Sequence, residues 1–203
     1  MTRRTPPGDV ILIPREFPSP SALKGIVERY KANRLEALQR DPDAFSSTYE
    51  RESHKTFVAI EEKDPTPAQK SYDPVQRLLE SEWLGQVTLL GPKALPQEGT
   101  ETSKPWQVFS GPNLTEAPGL KKLENAHATY LIVGMFVLPH GRRKGHGRRL
   151  IERALMTARD QAKGASAARV TVGIIVEPGN HAARRLAESL PVVGMTKHIE
   201  LEA

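Results

Sequence analysis

Residues 137–150 read "VLPHGRRKGHGRRL", three glycines and five arginines or lysines around a proline-led turn. What flanks this stretch decides the fold. Before it, "HATYLIVGMFVLP" (127–139) is apolar almost without a break, the mark of a strand near the centre of a sheet. After it, Leu150, Ile151, Ala154, Leu155 and Ala158 recur on one face of a helix that begins at about Gly147, while Arg149, Glu152 and Arg153 lie off that face. A basic glycine turn between a buried strand and a helix start is an anion site by construction, because the first N–H groups of a helix have no intrahelical acceptor. Gly145 and Gly147 permit a sharp turn and close backbone approach, and Arg142, Arg143, Lys144 and Arg148 add positive charge. The turn is not a Walker loop, since no Ser or Thr follows its Gly-Lys pair, and GxGxxG is absent. Its lack of aromatic residues, in a chain that is 5% aromatic, argues against base stacking and hence against a nucleic-acid partner.

Working outward, "DVILIPREF" (9–17) reads as a first strand, and "SPSALKGIVERYKANRLEALQRDP" (19–42) as a helix. Leu23, Ile26, Val27, Tyr30, Leu35 and Leu38 form the stripe of that helix, with Ser19 as cap and Pro20 at its first position. "DPDAFSSTYERES" (41–53) suggests a second cap and a short helix. "KTFVAIEE" (55–62) and "WLGQVTLLG" (83–91) read as strands, and "PVQRLLESEW" (74–83) as a helical turn within a polar insertion. Late in the chain, "ARVTVGIIVEP" (168–178) is a buried strand, and "GNHAARRLAESLP" (179–191) is a helix capped by Asn180 with Ala183, Leu186 and Leu190 inward. "VVGMTKHIEL" (192–201) supplies a last strand. The alternation predicts one α/β (α+β) domain over residues 1–203, a mixed sheet flanked by helices, with insertions at about 63–80 and 91–126. Much of the second insertion is expected to be disordered, being long and rich in Pro, Gly, Thr and Lys.

Composition narrows the chemistry. At 203 residues the chain suits one domain, and 29 Lys+Arg against 24 Asp+Glu, a formal +5, favours anionic partners. No cysteine is present, which removes disulfides, thiolate metal sites and a cysteine nucleophile. The six histidines show neither HxxxH nor HExxH spacing, so no metal is expected. "VILI" is far shorter than a signal-peptide core, and no run approaches the roughly 20 apolar residues of a membrane span. A soluble protein follows, cytoplasmic by default, the nucleus being the other compartment these features allow.

At this point the residues resemble the GNAT superfamily of acetyl-CoA-dependent N-acetyltransferases. The phosphate loop of that family has the form [R/Q]xxGx[G/A] behind VxPxx, and Val137, Pro139, Arg142, Gly145 and Gly147 match each position. Downstream the family often shows Val, an Asn four residues on, then Ala and Leu in steps of three and Gly-Phe; here stand Val176, Asn180, Ala183, Leu186 and Gly194-Met195. "RLEALQRDPDAFSSTYERE" looks like its first two helices.

The resemblance implies a mostly antiparallel mixed sheet and acetyl-CoA as co-substrate, lying between splayed strands 129–137 and 168–176. Its pyrophosphate would rest on the amides of about 142–147, so that Arg142, Arg143, Lys144, Gly145, His146, Gly147, Arg148 and Asn180 are cofactor-binding candidates, with Met135, Phe136 and Val137 along the pantetheine arm. The Val137 backbone N–H would polarise the thioester, a donor commonly worth ~2.7 to 4 kcal/mol in the transition state. An amine acceptor, of a small molecule or peptide, would attack directly in a ternary complex. The usual Tyr that protonates the leaving thiolate falls at Ala187, so another hydroxyl, water or release as the thiolate must serve. Glu177 is the nearest carboxylate for a base, with His140 and His181 flanking; each also has an ordinary structural use, as strand-end, loop or helix-start residue. Tyr130 reads as core. Only "TKHIELEA" follows Met195, room for one strand where the family closes with a hairpin, so a shortened C-terminal end is expected. That end and Ala187 keep open a degenerate acyl-CoA-binding protein without turnover. A homodimer is compatible with this picture; a membrane partner is not expected.

Overall fold

A computed structural model describes residues 9–40, 54–61, 73–95, 108–109, 123–176, 179–190 and 196–201. Among these residues six strands form one sheet in the order β1 (Val10–Leu12), β2 (Lys55–Glu61), β3 (Glu82–Leu95), β4 (His127–Val137), β5 (Arg169–Val176) and β6 (Thr196–Leu201). The first four strands pair antiparallel, and β4–β5 and β5–β6 are parallel. The two parallel connections run through α3 (His146–Gly164) and α4 (His181–Ser189), as parallel strands require a crossover.

On one face, α3 buries Leu150, Ile151, Ala154, Ala158 and Ala162 against Phe57, Val87, Leu89, Tyr130, Ile132 and Val172. The alanines leave room beneath the helix for the fully buried Tyr130 ring. Burial pushes the Tyr130 phenol up to about 12, so it stays neutral in the core, where the sequence placed it.

The other face carries α1 (Pro20–Arg40) and α2 (Pro74–Glu80). Ser19 caps α1, accepting the Ala22 N–H on its hydroxyl at 3.2 Å, and Asp73 caps α2, accepting from Val75 N at 2.9 Å. Ile26 of α1 and Leu78 of α2 close over Ile11, Val58, Ile60 and Trp83, whose indole N–H donates to Leu78 O at 2.8 Å. The segment 74–80 therefore belongs to the core rather than to an insertion. At its far end α1 sets Ala37 against Phe136 and Leu138 of the β4 terminus.

A second difference concerns β3. Its pairing with β4 continues through Lys93, Ala94 and Leu95, inside the span read from sequence as an insertion starting at 91. The register shifts between Leu90 and Lys93, and that irregularity absorbs Gly91 (φ 105) and Pro92, the two residues that look like strand breakers. Most of the remaining insertion, and the 41–53 segment, lie outside the described residues. No described helix is long and apolar enough to cross a membrane.

Candidate active site

The site grows out of the way β4 leaves the sheet. Its pairing with β5 ends at Ile132↔Ile174, although β4 runs on to Val137 and β5 to Val176. On its other side, Val133 and Phe136 oppose Thr88 and Gln86, three steps on β4 against two on β3. The extra residue is accommodated at Gly134, whose φ of 60 suits glycine. A bulge therefore bends the strand just where its neighbour diverges.

The opening is a cleft lined by Ile132, Val133, Gly134 and Met135 of β4, Ile174, Ile175 and Val176 of β5, Ile151 of α3, and Asn180, Ala183 and Ala187 of α4 and its cap. The Leu138 N–H donates to Leu84 O at 2.8 Å, toward β3; by strand alternation the Val137 N–H and carbonyl face the cleft side. The carbonyl accepts the Arg142 Nε at 3.0 Å, and that guanidinium also lies 5.7 Å over the Phe136 ring. Arg142 is thus folded back on the strand end.

Below the cleft, Pro139–Gly141 make a 3-10 turn and Arg143 (φ 62) and Gly145 (φ 83) take left-handed conformations before α3 begins. The Arg149 N–H reaches Gly145 O at 3.1 Å, which leaves the N–H groups of His146, Gly147 and Arg148 as the unpaired first turn. Gly147 sits tightly, since a Cβ there would lie 3.2 Å from Leu186 of α4. Gly145 is open, a Cβ meeting only Arg149 Nη1 at 3.5 Å.

The cations of the turn divide by partner. Arg148 pairs with Glu152 at 2.8 Å on the exposed face of α3. Arg143 and Lys144 are exposed, with no ion pair among the described residues. Arg149, which the sequence reading did not single out, lies beneath Gly145 because a helical side chain leans toward the N-terminus. One turn of helix between Gly145 and Arg149 was the signal for it.

Arg149 Nη2 is 2.8 Å from His146 Nδ1, and the imidazole is buried, with 4% of its surface exposed. An arginine can only donate, so Nδ1 accepts and His146 is the neutral tautomer. Burial lowers its pKa from 6.5, and Arg149 lowers it further. His146 therefore offers the turn its backbone N–H, not its side chain. His54 and His127 are lowered too, chiefly by burial. A histidine depressed in the folded state binds its proton more readily when unfolded, so stability is full above pH 6.5 and is lost as pH falls below it. Thermal melts should show Tm dropping between about pH 7.5 and about pH 5.5, with a smaller drop in His146→Gln, which keeps an acceptor for Arg149 without titrating. A pH slope identical in the variant would contradict this environment for His146.

Of the other candidates, Asn180 caps α4, accepting the Ala183 N–H at 3.0 Å, and also lines the cleft. Ala187, 1% exposed, lines it as well. His140 is exposed, its Nε2 3.0 Å from Glu82 Oε1, and His181 is exposed at the α4 start. Glu177 and Met195 lie outside the described residues. No group of three or more His, Asp or Glu that could hold a metal occurs among the described residues.

A sheet split between two parallel strands, with a left-handed glycine turn at the helix start below the split, is the architecture of acyl-CoA N-acyltransferases. The profile of the acetyltransferase (GNAT) family matches residues 73–190, more than half of the chain. The chain belongs to that family and is an acetyltransferase by membership. No curated protein sequence matches it. Among solved structures, the aminoglycoside N-acetyltransferase AAC(6')-Iy in complex with CoA is 13% identical with a TM-score of 0.45, over 96% of this chain and 98% of that one. NAA60 of Arabidopsis thaliana in complex with a bisubstrate analogue is 17% identical, TM-score 0.43, over 89% and 82%. A putative acetyl transferase from Pyrococcus furiosus is 15% identical, TM-score 0.43, over 94% and 100%.

Proposed function

We propose that the chain, as one domain, moves an acetyl group from acetyl-CoA to a primary amine of a small molecule or peptide, by direct attack in a ternary complex. The observation that carries this reading is the outer edge of β4, which loses its β5 partner after Ile132 and ends at the left-handed turn before α3. Backbone N–H groups of Met135 and Val137, on either side of the β3-paired Phe136, take the pantetheine arm and the thioester oxygen. The pyrophosphate sits on the amides of His146, Gly147 and Arg148, between Arg143 and Lys144 outside and Arg149 beneath. Asn180 closes the far wall. Phosphate is suited to such a turn because unpaired N–H groups and the helix dipole both favour negative charge.

In the transfer the amine lone pair forms a bond to the carbonyl carbon, the C–S bond breaks, and the amine gives up one proton. Glu177, next after the cleft residue Val176, is the base we assign for that proton. The cleft wall at Ala187 carries no hydroxyl, so CoA leaves as the thiolate, which is tolerable for a thiol of pKa about 8.5. Initial rates with varied acetyl-CoA and amine should give intersecting double-reciprocal lines. Parallel lines, the signature of an acyl-enzyme, would overturn direct attack. Ala187 also favours a second reading, an acyl-CoA-binding protein without turnover; saturable CoA binding with no CoA release over a broad amine panel would select it.

A further inference from the structure

Two buried side-chain amide oxygens on the α1 face have no hydrogen-bond partner. Gln86 is 1% exposed and Asn33 6%, and the Oε1 of the first and Oδ1 of the second are both fully enclosed and unpaired. Their positions are linked by the packing of α1. On the sheet, Val58 of β2, Gln86 of β3 and Phe136 of β4 stand side by side in register. Above it, Ile26 of α1 packs on the Val58 cluster and Ala37 on Phe136. Asn33 lies between Ile26 and Ala37 on the same helical face, at steps of seven and four, so the path of α1 from the Val58 cluster to Phe136 carries it across the β3 position between them.

This layer adjoins the cleft from behind. The cleft is lined on the α3 and α4 side, whereas Gln86 faces the opposite side of the sheet, beside the Met135–Val137 edge. If the α3 and α4 side is filled by acetyl-CoA, an acceptor must reach the thioester from the α1 side. Two carbonyl-type oxygens without donors are complementary to a group rich in N–H. A buried acceptor left without a donor is costly, so a pair of them marks a place where a partner is missing. We propose that Asn33 Oδ1 and Gln86 Oε1 bind the N–H groups of the incoming amine and aim its lone pair at the thioester carbon. This rests on the acetyl-CoA reading above. Amide oxygens are too weakly basic to take the proton, so the pair binds and orients, and it discriminates against hydroxyl acceptors, which offer one donor instead of two. Both oxygens are enclosed in this structure, so the amine reaches them as the surrounding packing opens.

The test follows the side-chain NH2 resonances of Asn33 and Gln86 by NMR in the full chain, assigned with Asn33→Leu and Gln86→Met, while n-propylamine is added to CoA-saturated protein and 1-propanol serves as control. The expected result is a saturable shift of both NH2 pairs with the amine, little with the alcohol, and an affinity for the amine about tenfold weaker in either variant, one hydrogen bond's worth. If CoA shifts the Gly145 and Gly147 amides but the amine leaves both NH2 pairs unmoved, or binds the variants as tightly as the wild type, this inference falls alone. If CoA leaves those glycine amides unmoved, the acetyl-CoA reading falls and takes it along.

Discussion

Gly145→Glu should abolish measurable acetyl-CoA binding while leaving the fold intact. The residue has φ 83 and a Cβ there would meet only Arg149 Nη1 at 3.5 Å, so the side chain projects into the open space where the pyrophosphate is proposed to sit rather than into the core. A left-handed L-residue costs roughly 1–2 kcal/mol. A carboxylate about 4 Å from a phosphate charge adds about 1 kcal/mol in water and about 4 kcal/mol near a protein surface. Together these come to roughly 2–6 kcal/mol, in Kd about thirtyfold at the low end and far more near the surface value. Gly145→Ala carries the conformational cost alone and should lose about tenfold. The pair of variants separates charge from strain; equal affinities for both would contradict the placement of the pyrophosphate.

Gly85→Ala attacks the same site from behind. Its Cβ would fall 2.5 Å from Phe136 O and 3.1 Å from Val137 Cα, so backbone must move and not a flexible side chain. Overpacking of this kind costs about 3 kcal/mol, visible as a lowered denaturant midpoint. What moves is the edge of β4 that presents the Val137 N–H. A misplacement of about 1 Å there lowers kcat about a hundredfold beyond any loss of folded protein. Wild-type stability together with wild-type kcat would show that β3 and β4 are not held in this register.

The strand–turn–helix at 127–164 was legible because three local signals agree: an unbroken apolar run, glycines where left-handed backbone is needed, and a helical stripe. The Ser19 and Asn180 caps were legible for the same local reason. Reading failed where tertiary context overrides a local signal. Gly91 and Pro92 look like a strand end, yet an irregular register lets β3 continue to Leu95. The apolar positions of 74–80 are few, and only the partner surface of α1 makes them core. In the turn, sequence supplied the charges but not their orientations: Arg142 bends back to Val137 and Arg148 to Glu152, whereas Arg149 lies under the glycine. Gly134 in mid-strand was a readable sign of the bulge. Nothing local marks Asn33 or Gln86, whose meaning depends on a helix crossing a strand.

The most direct test of the account is a calorimetric titration of the purified protein with acetyl-CoA, with CoA and dephospho-CoA in parallel. The account predicts saturable one-site binding of acetyl-CoA and CoA with Kd in roughly the micromolar range, on the order of −8 kcal/mol. Absence of saturable binding to any of the three would contradict it, leaving the turn before α3 as a basic helix start and nothing more.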